Sequence, residues 1–220
     1  MGKYNPSAAS IPRLSIVLQG WPWHKHAMAI DEQKIFSIRT RLDRPVALIG
    51  MMGAGKTRLG RMLSDTLNLK FVDSDEEIER AAGLTIPEIF EKFGEPYFRD
   101  GERRVIKRLL DQGIQVVSTG GGAILNTDTV ADLRDKAVTI WVKADLAIML
   151  ERTSKNDKRP LLKNGNPEDI LRQLSEARYP IYGQAPICVE SHSGPAEDIL
   201  VQAVDKLYAY LTRQPLTEAS

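Results

Sequence analysis

Short apolar runs alternate with longer amphipathic segments along the chain from Pro45 onwards. Each run has four or five residues, and the segments between the runs carry apolar residues three or four positions apart, as amphipathic helices do. The runs predict buried strands at residues 46–49, 70–73, 114–118, 138–142 and 186–189. Strands that alternate with helices in this way are typical of a parallel sheet covered on both faces. We therefore expect a three-layer α/β/α fold.

The amphipathic segments predict helices. The clearest segment is 57–67, where Leu59, Met62, Leu63 and Leu67 fall on one face. The other predicted helices span residues 86–93, 95–111, 145–152, 167–179 and 195–211.

The first 44 residues differ from the rest of the chain, since they contain three prolines, two of the three tryptophans and no sustained apolar period. We interpret residues 1–44 as an N-terminal extension, partly disordered and partly folded as a short helix around residues 27–40. Residues 45–213 then form the main domain, and residues 214–220 a flexible tail. Because every motif described below follows residue 44, we expect the extension to be dispensable for the chemistry.

Charge and composition narrow the choice of partners. The formal net charge is +1, so no overall field attracts nucleic acid or a membrane surface. No apolar run approaches the roughly 20 residues that cross a bilayer. The single cysteine, Cys188, cannot form an internal disulfide, which fits a reducing compartment. We expect a cytoplasmic protein that binds neither nucleic acid nor membranes.

A phosphate-binding motif follows the first predicted strand. Residues 50–57 read Gly-Met-Met-Gly-Ala-Gly-Lys-Thr and match the pattern G-x-x-x-x-G-K-[ST]. Its glycines let successive backbone N–H groups point into one concavity, and the following helix adds its positive dipole end. Lys56 is expected to reach the β- and γ-phosphates, and the Thr57 hydroxyl to bind Mg²⁺. A glycine-rich turn without a ligand is the alternative, but it does not require lysine followed by threonine.

The motif predicts binding of a nucleoside triphosphate without specifying the reaction, because GTPases, motors and kinases share it. The Asn-Lys-x-Asp motif by which GTPases recognise guanine is absent, which favours ATP.

Further motifs follow this loop: residues 71–75 with Ile78 and Glu79, Gly94 and Glu95, Phe98 and Arg99, Glu102, residues 119–123, Arg-Pro-Leu-Leu at 159–162 and Arg-Tyr-Pro-Ile-Tyr at 178–182. Together with residues 52–57, these motifs make the sequence resemble the shikimate kinases from about residue 45 to residue 211. The resemblance implies a P-loop kinase with strand order 2-3-1-4-5 and a mobile lid at about residues 154–166. It also implies transfer of the γ-phosphate of ATP to the 3-hydroxyl of shikimate. From the phosphate-binding motif we expect a requirement for Mg²⁺, and we expect the protein to act as a monomer.

The resemblance assigns roles to two aspartates. Asp73, at the end of a strand, would bind Mg²⁺. Asp75 would bind the acceptor hydroxyls and take the proton of the attacking hydroxyl. Helix capping by Ser74 or Asp75 is the alternative for this segment.

Arg99 and Arg178 would clamp the acceptor carboxylate, because a guanidinium presents a planar fork to it. Two converging arginines are expected to repel each other unless an anion lies between them. By resemblance Glu102 and the glycines Gly120, Gly121 and Gly122 complete the acceptor site. Consecutive glycines let the backbone approach a ligand closely, and a plain turn is the alternative.

On the nucleotide side, the resemblance places Arg159 over the γ-phosphate and Arg152 on the adenine, with a solvated charge as the alternative for Arg152. The catalytic candidates are therefore Lys56, Asp75 and Arg159. The remaining candidates for ATP binding are Gly53, Ala54, Gly55, Thr57, Arg58 and Pro195.

Some positions depart from the family pattern. Arg58 stands where a small hydroxyl residue is usual, Gly183 and Gln184 replace an acidic segment, and residues 192–195 lack a basic residue that the family often has there. We expect these departures to affect nucleotide affinity more than acceptor identity. The alternative functions are a related kinase such as gluconate kinase and a non-catalytic nucleotide-binding regulator.

Overall fold

The computed structural model describes residues 30–154 and 165–213. The predicted extension before residue 30, the tail 214–220 and most of the predicted lid, including Arg159, lie outside these ranges. The elements are α1 (Glu32–Arg41), β1 (Val46–Ile49), α2 (Lys56–Leu67), β2 (Phe71–Asp73), α3 (Ser74–Ala82), α4 (Ile86–Leu110), β3 (Val116–Ser118), α5 (Thr127–Lys136), β4 (Val138–Ala144), α6 (Leu146–Ser154), α7 (Pro167–Tyr182), β5 (Ile187–Ser191) and α8 (Ala196–Arg213).

The strands form one parallel sheet in the order β2-β3-β1-β4-β5, which confirms the predicted fold class and strand order. β1 lies at the centre, and all four of its residues are buried. Val46 pairs with Val116 of β3 on one side and with Val138 of β4 on the other. A central strand buried on both faces explains why its sequence is uniformly apolar rather than alternating.

Connection handedness places helices on both faces of the sheet. The connection from β1 to β2 runs towards one edge, whereas the connections from β2 to β3, β3 to β4 and β4 to β5 run the opposite way. Because such connections are right-handed, α2 covers one face, and α4, α5 and α7 cover the other. α1 and α8 contact α2 and complete the first layer.

α4 is kinked where the sequence predicts a break between two helices. Gly94 has φ 79° and ψ 170° inside the helix, in the region that favours glycine. Thr85 caps the helix start reciprocally with Glu88. The kink sets the direction of the second half of α4, which carries Arg99 and Glu102.

The apolar pattern predicts neither α3 nor α5. The buried residues of α3 are Ser74 and Ile78, and those of α5 are Thr129 and Leu133. Each helix therefore buries one apolar and one polar residue, too few for a helical apolar period to emerge.

α1 belongs to the hydrophobic core, although it precedes the predicted domain start at residue 45. Ile38 is fully buried and Leu42 nearly so, and both lie in the main core cluster. Lys34 donates to Asp205 of α8 at 2.7 Å. α1 is therefore packed as part of the folded domain, and the dispensability of residues 1–44 for the chemistry stays a prediction.

Within the part of the chain that the structure describes, no helix combines the length and apolar character needed to span a membrane.

The packing of α1 can be tested with two substitutions on this helix. Ile38→Ala should lower the free energy of unfolding by about 2–5 kcal/mol, because it leaves a cavity in the core. Phe36→Ala is the matched control: the side chain is 70% exposed, and we expect a change of no more than about 0.5 kcal/mol. Urea unfolding measures both, and equal effects would contradict the placement of Ile38 in the core.

Candidate active site

The carboxyl ends of β1, β2 and β3 meet at one edge of the sheet. The phosphate-binding loop follows β1, Asp73 ends β2, and the glycines 120–122 follow β3. Ligands of open α/β sheets bind at such carboxyl ends, where the strand order reverses. The tertiary structure thus brings three segments that are distant in sequence to the place where a ligand is expected.

The phosphate-binding loop has the backbone that its glycines predict. Gly50, Gly53 and Gly55 have φ values of 144°, 77° and 99°, which disfavour any residue with a Cβ atom. A Cβ atom at Gly50 would also overlap the carbonyl oxygen of Val142. α2 begins directly after Gly55, so its N-terminal amides and positive dipole end face the loop.

Lys56 is buried against the start of this loop. Its Nζ donates to the carbonyl oxygens of Gly50 at 2.9 Å and of Met51 at 3.0 Å, and the residue is only 9% exposed. Its charge therefore adds to that of the loop amides, which makes the loop a suitable site for a polyphosphate.

Asp73 uses its two oxygens for different contacts. Oδ2 accepts from the Thr57 hydroxyl at 2.9 Å, and Oδ1 accepts from the backbone N–H of Asp75 at 3.0 Å. Asp73 is therefore the N-cap of α3, in place of Ser74 or Asp75. A hydroxyl and a carboxylate side by side fit Mg²⁺, which binds few protein oxygens and completes its shell with phosphates and water.

The glycines Gly120, Gly121 and Gly122, here called the glycine triplet, do not have the left-handed backbone that would require glycine. Gly122, for example, has φ −95°. Glycine is favoured at these positions because neighbouring atoms leave little room for a Cβ atom. A Cβ atom at Gly120 would lie 2.7 Å from Oδ1 of Asp75 and 2.7 Å from Oε1 of Glu102, and one at Gly122 would overlap the guanidinium of Arg99. These approaches go beyond what a plain turn needs.

The two predicted clamp arginines reach the same triplet. Nη1 of Arg178 donates to the carbonyl oxygen of Gly121 at 3.1 Å, next to the glycine that contacts Arg99. Arg99 is held by Glu95 at 3.0 Å and by Glu102 at 2.7 Å. Arg178 thus lies against Gly121 and Arg99 against Gly122, while Asp75 lies against Gly120. The triplet therefore brings the predicted acceptor residues close to one another.

Glu102 corrects the expectation that converging arginines require a ligand anion between them. It is 3% exposed, and burial raises its pKa, an effect that Arg99 and Arg178 partly offset. The carboxylate thus compensates both guanidinium groups within the protein itself. Their convergence alone does not demand a bound anion.

Arg152 links α6 to the phosphate-binding loop and to the end of β5. Its Nη1 lies 3.3 Å from the carbonyl oxygens of Gly53 and Ala54 and 2.9 Å from Oγ of Ser191, and Nη2 donates to the carbonyl of His192 at 3.0 Å. These contacts differ from those of a freely solvated charge.

The two remaining residues predicted to bind ATP within the described ranges, Arg58 and Pro195, are exposed. Arg58 lies in the first turn of α2, and Pro195 immediately precedes α8. Their places at the loop and near the end of β5 fit the nucleotide side, whereas Arg159 lies outside the described residues.

Sequence reasoning assigned no site role to Tyr182 or Glu95. The Tyr182 hydroxyl donates to the carbonyl oxygen of Gly121 at 2.6 Å, and Glu95 pairs with Arg99. Each lies four residues from a predicted arginine, on the same helix face. That spacing is the signal by which both could have been found.

Comparisons with known proteins agree with this geometry. The sequence model of the family described as "Shikimate kinase" matches residues 52–208. A shikimate kinase from Rhodopseudomonas palustris is 49% identical over 173 residues, which cover 79% of this chain and 85% of that protein. A solved structure of a shikimate kinase from Acinetobacter baumannii in complex with shikimate superposes with a TM-score of 0.74 at 39% identity, and covers 79% of this chain and 97% of that one.

A protein with a different name shares the fold at low sequence identity. A gluconokinase from Sinorhizobium meliloti gives a TM-score of 0.50 at 15% identity, covering 77% of this chain and 94% of that one, so it shares the architecture only. The assignment therefore depends on the sequence matches, and the family model covers most of the loop, the triplet and both arginines: this chain belongs to the shikimate kinase family.

Proposed function

We propose that the protein transfers the γ-phosphate of ATP to the 3-hydroxyl of shikimate, giving shikimate 3-phosphate and ADP. The observation that carries the proposal is the glycine triplet, which brings Asp75, Arg99 and Arg178 together beside the phosphate-binding loop. An acceptor with a carboxylate at one end and hydroxyls at the other fits this arrangement. The shikimate bound in the structure from Acinetobacter baumannii supports the same acceptor.

On the nucleotide side, the loop amides of Gly53, Ala54 and Gly55 would bind the phosphates, with Lys56 at the β- and γ-phosphates. Thr57 and Asp73 would hold Mg²⁺. The ion would supply positive charge to the transferring phosphoryl group.

The outer part of the nucleotide site is proposed by family resemblance. Arg152 would pack on the adenine while it supports the loop through Gly53 and Ala54. Arg58 and Pro195 would contact other parts of ATP. Arg159 would stabilise the charge on the γ-phosphate, a role that stays a prediction because it rests on sequence alone.

On the acceptor side, Arg99 and Arg178 would bind the carboxylate and Asp75 the hydroxyls. The 3-hydroxyl oxygen would form a bond to the γ-phosphorus as the bond to the β–γ bridging oxygen breaks, and Asp75 would take the hydroxyl proton. Glu102 would hold Arg99 in place through its 2.7 Å contact. Such transfer depends mainly on positioning and charge stabilisation.

We further propose that the protein acts as a cytoplasmic monomer. Side chains of α8 occupy backbone groups of the edge strand β5. The Gln202 amide accepts from the backbone N–H of Glu190 and donates to its carbonyl oxygen, and Lys206 donates to the carbonyl oxygen of Cys188. Covered strand edges disfavour pairing with a second copy.

The function is tested by coupled ADP release with Mg²⁺, ATP and one acceptor at a time. We expect turnover with shikimate and none with gluconate or without an acceptor. Turnover with gluconate instead would favour the related-kinase alternative, and ATP binding without any turnover would favour the non-catalytic regulator.

Lys56→Ala tests the phosphate-binding loop. It removes a charge aimed at the transferring phosphate, and we expect kcat to fall by about a hundredfold or more. Lys70→Ala is a suitable control, because Lys70 is exposed and precedes β2 at the opposite end of the strand from Asp73. Near-normal turnover by the Lys56 variant would remove this lysine from the mechanism.

Arg99→Lys and Arg178→Lys test the carboxylate clamp. Each keeps the charge and loses the planar fork, so we expect KM for shikimate to rise more than about tenfold while KM for ATP changes little. Arg103→Lys provides the control on the same helix, since Arg103 pairs with Asp100 rather than with the triplet. Normal shikimate binding by both clamp variants would mean that the acceptor lies elsewhere.

Gly122→Ala tests the close approach of Arg99 to the triplet. The backbone at Gly122 suits alanine, but the added methyl group must displace the Arg99 guanidinium. We therefore expect little loss of stability and a rise of about tenfold in KM for shikimate. Gly101→Ala is the control, because a Cβ atom there meets nothing within 4 Å. The assignment of Arg99 fails if the two alanine variants behave alike in steady-state kinetics.

A further inference from the structure

The hydroxyl of Tyr182 makes a short contact at the centre of the acceptor site. Tyr182 is fully buried at the end of α7, and its hydroxyl donates to the carbonyl oxygen of Gly121 at 2.6 Å. The mechanism proposed above does not use this side chain. A buried hydroxyl requires a hydrogen-bond partner, and here the partner is a backbone carbonyl of the triplet.

The same carbonyl also accepts from Arg178. Arg178 and Tyr182 are four residues apart and project from the same face of α7. Because a carbonyl oxygen has two lone pairs, it can accept from Nη1 of Arg178 at 3.1 Å and from the Tyr182 hydroxyl together. The guanidinium of Arg178 also lies close enough to this hydroxyl to affect its pKa. Tyr182 therefore restrains both Gly121 and the arginine beside it.

Aromatic neighbours hold the Tyr182 ring in place. Trp141 of β4 stacks on it with ring centroids 6.0 Å apart, and the Tyr179 ring lies 6.5 Å away. A tyrosine hydroxyl carries its proton at neutral pH and can donate, and burial raises the pKa of Tyr182 further. The contact is therefore made by a fixed donor rather than by a mobile surface group.

Gly121 transmits this restraint to the rest of the site. On the other side of the residue, a Cβ atom would lie 3.3 Å from the backbone nitrogen of Met52 and 3.4 Å from the carbonyl oxygen of Gly50. Gly121 is thus held between α7 and the phosphate-binding loop, and its neighbours in the chain contact Asp75 and Arg99. A rotation of its peptide group would shift these contacts together.

We propose that Tyr182 is a positioning residue for the acceptor, which holds the Gly121 carbonyl so that Arg178 and the glycine triplet keep the geometry that binds shikimate. This inference rests on the proposed function. It assigns Tyr182 no contact with the substrate, so its effect should appear in acceptor affinity rather than in ATP affinity.

Tyr182→Phe tests the inference, with Tyr179→Phe as the matched control. Both variants keep the ring on the same helix, but the Tyr179 hydroxyl donates to the carbonyl oxygen of Ala144, away from the triplet, at 3.2 Å. For Tyr182→Phe we expect the Kd for shikimate, measured by calorimetry, and its KM to rise about fivefold, the factor equivalent to about 1 kcal/mol for one hydrogen bond. KM for ATP should stay within about twofold.

The outcomes separate this inference from the proposed function. A purely structural role would lower Tm and the active fraction without changing Kd or KM, and unchanged constants in Tyr182→Phe would overturn the inference. An equal loss of shikimate affinity in Tyr179→Phe would also overturn it, because the effect would then belong to α7 as a whole. If the wild-type protein neither binds nor phosphorylates shikimate, the proposed function fails, and this inference fails with it.

Discussion

The absence of side chains at three consecutive positions is the constraint on which the acceptor site depends. Gly120 lies against Asp75 and Glu102, Gly121 lies between the phosphate-binding loop and α7, and Gly122 lies against Arg99. Since the triplet lacks left-handed backbone, these contacts rather than conformational freedom account for the glycines. A methyl group at each of the three positions would press on a different part of the site. The surrounding side chains can therefore pack closely only because all three residues are glycine.

On the nucleotide side, the residues proposed to bind phosphate and Mg²⁺ are positioned by the carboxyl ends of two strands. The loop follows the buried central strand β1, Asp73 ends the edge strand β2, and the first amides of α2 and α3 lie beside them. Asp73 connects the two helices by accepting from Thr57 and from the backbone of Asp75. The residue proposed to hold Mg²⁺ therefore also fixes the start of the helix that carries the proposed base.

Charge balance links the two arginines to the interior of the protein. Burying Glu102 is unfavourable by itself, but Arg99 and Arg178 compensate its charge. Contacts with Glu95, Glu102 and Gly121 hold the two guanidinium groups of the proposed clamp, so that binding would cost them little freedom. Preorganised groups of this kind favour catalysis, because the cost of orienting them is met during folding.

The local features of the fold and the site can be derived from the amino-acid sequence alone. The phosphate-binding loop, the break at Gly94 and the buried strands were readable, because each depends on neighbouring residues through backbone conformation or burial. α3 and α5 were not predicted, because their apolar patterns are weak. The burial of Ile38 in α1 was not predicted either. The family resemblance had already grouped the predicted acceptor residues, but which side-chain atoms meet at the triplet is visible in the three-dimensional structure alone. Those side chains come from α3, α4 and α7, and separation along the chain gives no measure of the distance between helices that pack around one sheet.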